Sequence, residues 1–237
     1  MYIWNPWHGC IKKSEGCAHC YMYRRDESVG RDPSAIDRTS SFRQPIAKDR
    51  NGSYKWQSGT VYSCMTSDFF IEEADVWRAD AWEIIRERRD LDFVVITKRP
   101  ERFYVSLPSD FGDGYPNFTL CVTCENQKRA DERLPILLSL PVARREVIHE
   151  PMLERIDIRR YLEAGLISRV TCGGESGDGA RICDYEWILD TRNQCMENGV
   201  AFTFKQTGAH FRKDGRVYSV PRSQQLRQAA KAGIDLF

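Results

Sequence analysis

From about residue 60 onward, short runs of β-branched and aromatic residues alternate with longer stretches of helical periodicity. The short runs predict strands at Thr60–Met65, Phe93–Thr97, Phe118–Thr123, Glu146–His149, Arg169–Cys172 and Ala201–Lys205, with another at Tyr2–Trp4. The longer stretches predict helices over Glu72–Arg89, Arg99–Val105, Gln127–Leu138, Ile158–Ala164 and Tyr185–Asn198. In the first helix Ala74, Trp77, Ala81, Ile84 and Ile85 recur at three- and four-residue spacings and so share one face. Gly165 and Gly199 stand just past helix ends, where a left-handed cap is wanted. Residues 24–59 break the rhythm, being polar, aperiodic and rich in Arg, Asp, Ser and Gly. They read as an insertion that carries a helix from Cys20 and then a long loop, a candidate lid.

Strands alternating with helices in this way spell repeated βα units and a parallel sheet. Six or seven units suit a partial or complete (βα) barrel of one domain over residues 1–237. A doubly wound open sheet stays open as an alternative, because strand order is not written in one sequence.

In such folds the active site lies outside the carboxyl ends of the strands. Nearly every predicted strand delivers polar residues there: Ser67 and Asp68, then Thr97-Lys98-Arg99, Thr123-Cys124-Glu125-Asn126, His149-Glu150, Gly173-Gly174-Glu175-Ser176-Gly177, and Lys205-Gln206. Lys98, Glu125 and Glu150 are the candidate catalytic groups. Each position also has a plainer reading. Ser67 and Asp68 can cap a helix, Lys98 can open one with Pro100 at its first position, and Glu150-Pro151 can be a turn paired with Arg144 or Arg145. The Gly173–Gly177 run lacks the dinucleotide spacing, yet its glycines let backbone amides approach a ligand, with Glu175 placed for an amine or hydroxyl.

Composition is that of an ordinary globular protein, 41% apolar and 29% charged, with a net charge of +1. The charge is uneven: residues 205–231 hold Lys205, Arg212, Lys213, Arg216, Arg222, Arg227 and Lys231 against Asp214 alone. Residues 207–237 therefore read as a basic C-terminal extension, either a solvated tail or a phosphate-facing surface. The first residues lack the basic and apolar regions of a signal peptide. No apolar stretch approaches the roughly 18 residues of a membrane span. The expectation is a cytoplasmic, reducing compartment, where nine cysteines are free or metal-bound; an odd number also excludes complete pairing.

Three of those cysteines, Cys10, Cys17 and Cys20, form a C-x6-C-x2-C run with no fourth cysteine nearby. Thiolates select zinc or an iron–sulfur cluster. Zinc would need a fourth ligand such as His8, since His19 stands between two ligands. A cluster needs only the three thiolates and leaves one iron open. Cys121 and Cys124 form a C-x2-C pair without obvious partners for a second metal.

These features resemble the radical S-adenosylmethionine superfamily, whose members hold a [4Fe–4S] cluster by three close cysteines after the first strand of a partial βα barrel. The first spacing here is longer than usual, and His19 stands where an aromatic residue usually precedes the third cysteine. More closely, Trp4-Asn-Pro-Trp-His-Gly-Cys10, Ser67-Asp68-Phe-Phe, Thr97-Lys-Arg-Pro-Glu-Arg102, Gly173-Gly-Glu-Ser-Gly177 and Phe204-Lys-Gln206 look like a family of uncharacterised proteins often encoded by phages. The resemblance implies that Cys10, Cys17 and Cys20 ligate three irons and that the fourth chelates S-adenosylmethionine. Reduction by an external one-electron donor then yields a 5′-deoxyadenosyl radical that abstracts a substrate hydrogen. The expected cofactor contacts are Ser67, Asp68, Gly173, Gly174, Glu175 and Ser176, with Asp68 at the amine and Glu175 facing ribose or substrate. A nucleotide, DNA base or base-linked amino acid is the expected substrate of an isomerisation or modification, in host cytoplasm if the chain is phage-encoded. The competing expectation is a non-catalytic, zinc-stabilised nucleic-acid-binding protein.

Overall fold

The computed structural model describes residues 1–177 and 179–237. Seven strands form one sheet: β1 (Tyr2–Trp4), β2 (Gly59–Ser63), β3 (Leu91–Thr97), β4 (Phe118–Thr123), β5 (Arg144–His149), β6 (Ile167–Gly173) and β7 (Ala201–Gln206). Neighbours in the sheet follow chain order and every pairing is parallel, from Tyr2 opposite Val61 to Phe204 opposite Cys172. A doubly wound sheet reverses its order at a switch point, and this one does not. β1 and β7 are not paired with each other, so the sheet is a curled half-barrel with two edges.

Period-two alternation divides each strand between two faces. Val61, Phe93, Val95, Leu120, Val122, Val147, Val170 and Phe202 face the main core. The intervening Tyr62, Val94, Ile96, Cys121 and Ile148 gather on the other, concave side. Outside the convex face pack α2 (Asp75–Glu87), α3 (Gln127–Ser139), α4 (Arg159–Leu162), α5 (Tyr185–Glu197) and α6 (Arg222–Ala232), while α1 (Tyr21–Ser28) lies against the loop after β1, Tyr23 donating to Cys10 O. Asn126 caps α3 by accepting from Arg129 N, and Asp184 caps α5 by accepting from Glu186 N. Trp82 of α2 sits within 5.0–5.3 Å of the Phe69, Phe111 and Phe118 rings, the aromatic centre of this layer.

Three sequence expectations change. The helix expected over Arg99–Val105 is only a 3-10 turn at Pro100–Arg102, because the chain must bring Phe103 back into the aromatic cluster. Residues 24–59 divide: Arg24 and Pro33 lie against the cysteine loop, donating to His19 O and accepting from Cys10 N, whereas the rest packs elsewhere. Beyond α1, Asp37–Arg38 pairs with Trp7–His8, Phe42 packs edge-on to Trp4, and Trp56 stacks 4.5 Å from Tyr2. Buried Arg88 donates to Pro45 O and Trp56 O, fixing the stretch on the convex side where a crossover helix would lie. Residues 207–237 are built into the fold: a hairpin (His210–Lys213 and Arg216–Ser219) adds to Ile182–Asp184, and α6 packs on β7. Among the described residues no helix is long and apolar enough to cross a membrane.

Candidate functional site

The cysteine loop leaves β1 at the carboxyl edge of the sheet and is held there by groups from several strand ends. Asp68, after β2, is buried, and its carboxylate accepts from Thr97 Oγ1 (2.7 Å), Lys98 N (2.8 Å), Phe70 N (3.0 Å) and Arg99 Nη1 (3.2 Å). Arg99, so oriented, donates its other Nη to Ile11 O at 2.6 Å. Ser67 Oγ donates to Gly9 O. Both residues thus brace the loop, and Asp68 has four donors already.

Glu125, after β4, is fully buried. It accepts from Ser14 Oγ and from Gly16 N, and pairs with Arg133 Nη1 at 2.8 Å. Burial raises its carboxyl, but the charges of Arg133 and Lys98 and the Ser14 hydrogen bond outweigh this and hold it below the usual range. A side chain on Gly16 would press against Glu125. Arg129, one helical turn from Arg133, takes the Glu15 carboxylate at 2.9 Å. Arg181 holds Glu175 in a bidentate pair (2.7 and 3.0 Å) and donates to Glu15 O at 3.0 Å. Four guanidinium groups thus fix Ile11–Glu15 from three sides.

The glycine segment has packing reasons. A Cβ on Gly174 would overlap Thr207 O and lie 2.9 Å from Cys183 Cβ, so the glycines let residues 173–175 lie against 206–208. Ser176 Oγ accepts from Arg222. Glu150 remains at the mouth: it accepts from Lys205 Nζ and Gln206 Nε2, both at 2.6 Å. Lys98 keeps its amine free of any ion pair or hydrogen bond among the described residues, within electrostatic reach of Cys10 and Glu125. Beneath this edge the concave face encloses a lumen of about 570 Å³, with Tyr62, Ile96, Cys121 and Ile148 at mid-depth. Lys205 lines it too, as does the ion pair of Arg144 with Asp92 at 3.0 Å.

A sequence profile described as Protein of unknown function (DUF5131) matches residues 2–234. The chain belongs to the DUF5131 family. No curated protein and no solved structure matches it.

Of the nine cysteines in this DUF5131 chain, all are unpaired and only Cys10, Cys17 and Cys20 are not buried. Two of these thiols are turned onto their own loop, Cys10 Sγ toward Ile11 O and Cys17 Sγ accepting from Lys13 N. Among the described residues no group of three His, Cys, Asp or Glu side chains is gathered around one ion position. The Tyr23 phenol donates to Cys10 O, and burial raises it above its ordinary value. The three cysteines are thus a candidate ligand set carried on one braced loop, and not a gathered site among the described residues. His8, the fourth ligand a zinc site would need, is buried and tied through Nε2 to Asp26 Oδ2 at 2.5 Å, a pairing in which a carboxylate orients an imidazole. Cys121 and Cys124 fall in separate clusters on opposite faces of the sheet and do not form a joint site.

Of the arginines that hold the loop, Arg99 stood among the polar strand ends in the sequence, whereas Arg129, Arg133 and Arg181 did not. A signal existed for one of them: Arg133 stands on the same α3 face as Ala130, Leu134 and Leu137, and a charge at a core position implies a buried partner.

Proposed function

We propose that this chain is a radical S-adenosylmethionine enzyme in which Cys10, Cys17 and Cys20 hold a [4Fe–4S] cluster. The observation that carries the reading is the placement of the only three unburied cysteines on a loop braced at the carboxyl edge of a parallel half-barrel, above a lumen large enough for a ligand. A cluster bound there would supply the single electron for reductive cleavage of the sulfonium. Arg99, Glu125, Arg129, Arg133 and Arg181 keep the loop in place during that chemistry. Lys98, with its amine free, is the group to meet a ligand carboxylate. Glu150, steadied by Lys205 and Gln206, is the acceptor for an amine or hydroxyl at the mouth. Asp68 and Glu175 act as braces in this scheme, because they already accept from four and three donors, against two on Glu150. The substrate is a nucleotide, DNA base or base-linked amino acid undergoing isomerisation or modification, and an external one-electron reductant drives turnover.

The test is anaerobic reconstitution with iron and sulfide, followed by dithionite and S-adenosylmethionine. Four irons per chain and release of 5′-deoxyadenosine are expected, both lost in Cys17→Ala. Iron without cleavage would reduce the cluster to an electron carrier or a structural element. A protein that takes up zinc and no iron would remove the enzyme reading.

A further inference from the structure

A second cavity, of about 450 Å³, lies between the C-terminal hairpin, the start of α5 and one face of α6. Its inner wall is aromatic. Phe204 and Phe211 stack with ring centres 5.8 Å apart at 27°, and Tyr185 stands against Phe211 at 63°. Its rim is basic: Lys213 Nζ lies 4.9 Å from the Tyr185 ring centre, and Lys231 comes from α6. Tyr218 is 42% exposed on the outer strand, with the Arg216 guanidinium over its ring. Among the described residues no Asp or Glu lines this cavity.

An apolar partner would leave those cations without counter-charge, and a bare anion would leave the exposed Tyr218 ring unused. A planar base carrying a phosphate uses both, and sequence-tolerant single-strand binding combines these same parts. Gln224 and Gln228, on the α6 wall, offer amides to a base edge. We propose that this cavity takes one nucleotide of a single-stranded nucleic acid, its base against Tyr185 and Tyr218 and its flanking phosphates on Lys213, Arg216 and Lys231. The helix that forms the wall begins at Arg222, which donates to Ser176 Oγ beside the candidate site. A strand held here runs along α6 toward that site. The inference does not depend on the cysteine reading.

Fluorescence anisotropy of a labelled single strand of about 12 nucleotides, titrated with the full-length chain at two salt concentrations, tests it. Binding that weakens with salt is expected. Tyr218→Ala should weaken it about tenfold. The double substitution Lys213→Ala/Lys231→Ala should lower the log–log salt slope by roughly 1.4. All of these side chains are exposed, and Lys231→Glu alone, on the helix surface, should also weaken binding if Tyr218→Ala proves unstable. Cys17→Ala should bind as the wild type does, which separates this test from the fate of the cluster. Variants that bind like the wild type would overturn the proposal, as would a duplex that binds equally well or a free nucleoside monophosphate that displaces the strand at equal phosphate concentration.

Discussion

Replacing Glu125 by Ala removes the centre of the bracing that fixes the cysteine loop. Arg133 Nη1 sits 2.8 Å from the carboxylate and 2.6 Å from Thr123 O, and its other Nη lies 2.9 Å from Ser14 Oγ. Both members of the pair are buried, so the substitution strands a guanidinium in the interior. Breaking a buried pair from one side costs about 3–5 kcal/mol. Against a total stability of roughly 5–15 kcal/mol, the variant still folds. Its Tm should fall by roughly 10 °C for a chain of this length. Ser14 Oγ and Gly16 N lose their acceptor at the same time, so the loop loosens and Cys17 should react faster with a thiol reagent. Denaturant unfolding and the labelling rate of Cys17 read the two effects. Adding Arg133→Met to Glu125→Ala should recover part of the loss, because no unpaired charge remains. A Glu125→Ala variant within about 1 kcal/mol of the wild type, with Cys17 labelling unchanged, would refute the bracing role.

Further outcomes follow from other parts of the fold. His149, fully buried with Nδ1 against Cys124 O, is pushed by burial from 6.5 down to about 4. It is neutral when folded, whereas an unfolded chain protonates it below 6.5. Its contribution is therefore complete above pH 6.5 and is lost as pH falls toward 4, about 3 kcal/mol in all; unfolding titrations of His149→Asn should lack that part of the pH dependence. Gly174→Ala should cost about 3 kcal/mol or more in thermal unfolding, since Thr207 O and Cys183 Cβ leave no room for a methyl group. Thr171→Trp, which fills the lumen from β6, should keep iron content and lose turnover; retained turnover would place the substrate elsewhere.

The sheet was legible because its strands are short β-branched and aromatic runs set between helical stretches, as in Leu91–Thr97, where the Phe93, Val95 and Thr97 side faces the helices and Asp92, Val94 and Ile96 line the lumen. The convergence of polar strand ends was legible for the same reason, since parallel strands share one carboxyl edge. Their roles were not. Asp68, Glu125 and Glu175 look like free acids in the sequence, and only the fold brings Arg99, Arg133 and Arg181 beside them. Asp68 and Arg99 come from neighbouring strand ends, and no spacing rule announces such a contact. The hairpin had a sequence signal that went unused. Asp214-Gly215 takes positive φ at both positions, 51° and 72°, as a two-residue hairpin turn requires. The stretch 29–58 could not be placed by periodicity, because it packs through separated aromatics, Phe42 and Trp56, and not through a regular element.

The most direct measurement of the central claim is the electron paramagnetic resonance spectrum of the reconstituted, dithionite-reduced protein with and without S-adenosylmethionine. Three cysteine ligands and one open iron predict a reduced-cluster signal whose shape changes when the cofactor is added, and no signal in Cys17→Ala. A signal indifferent to the cofactor, or no cluster signal from the wild-type chain, would contradict the assignment of Cys10, Cys17 and Cys20.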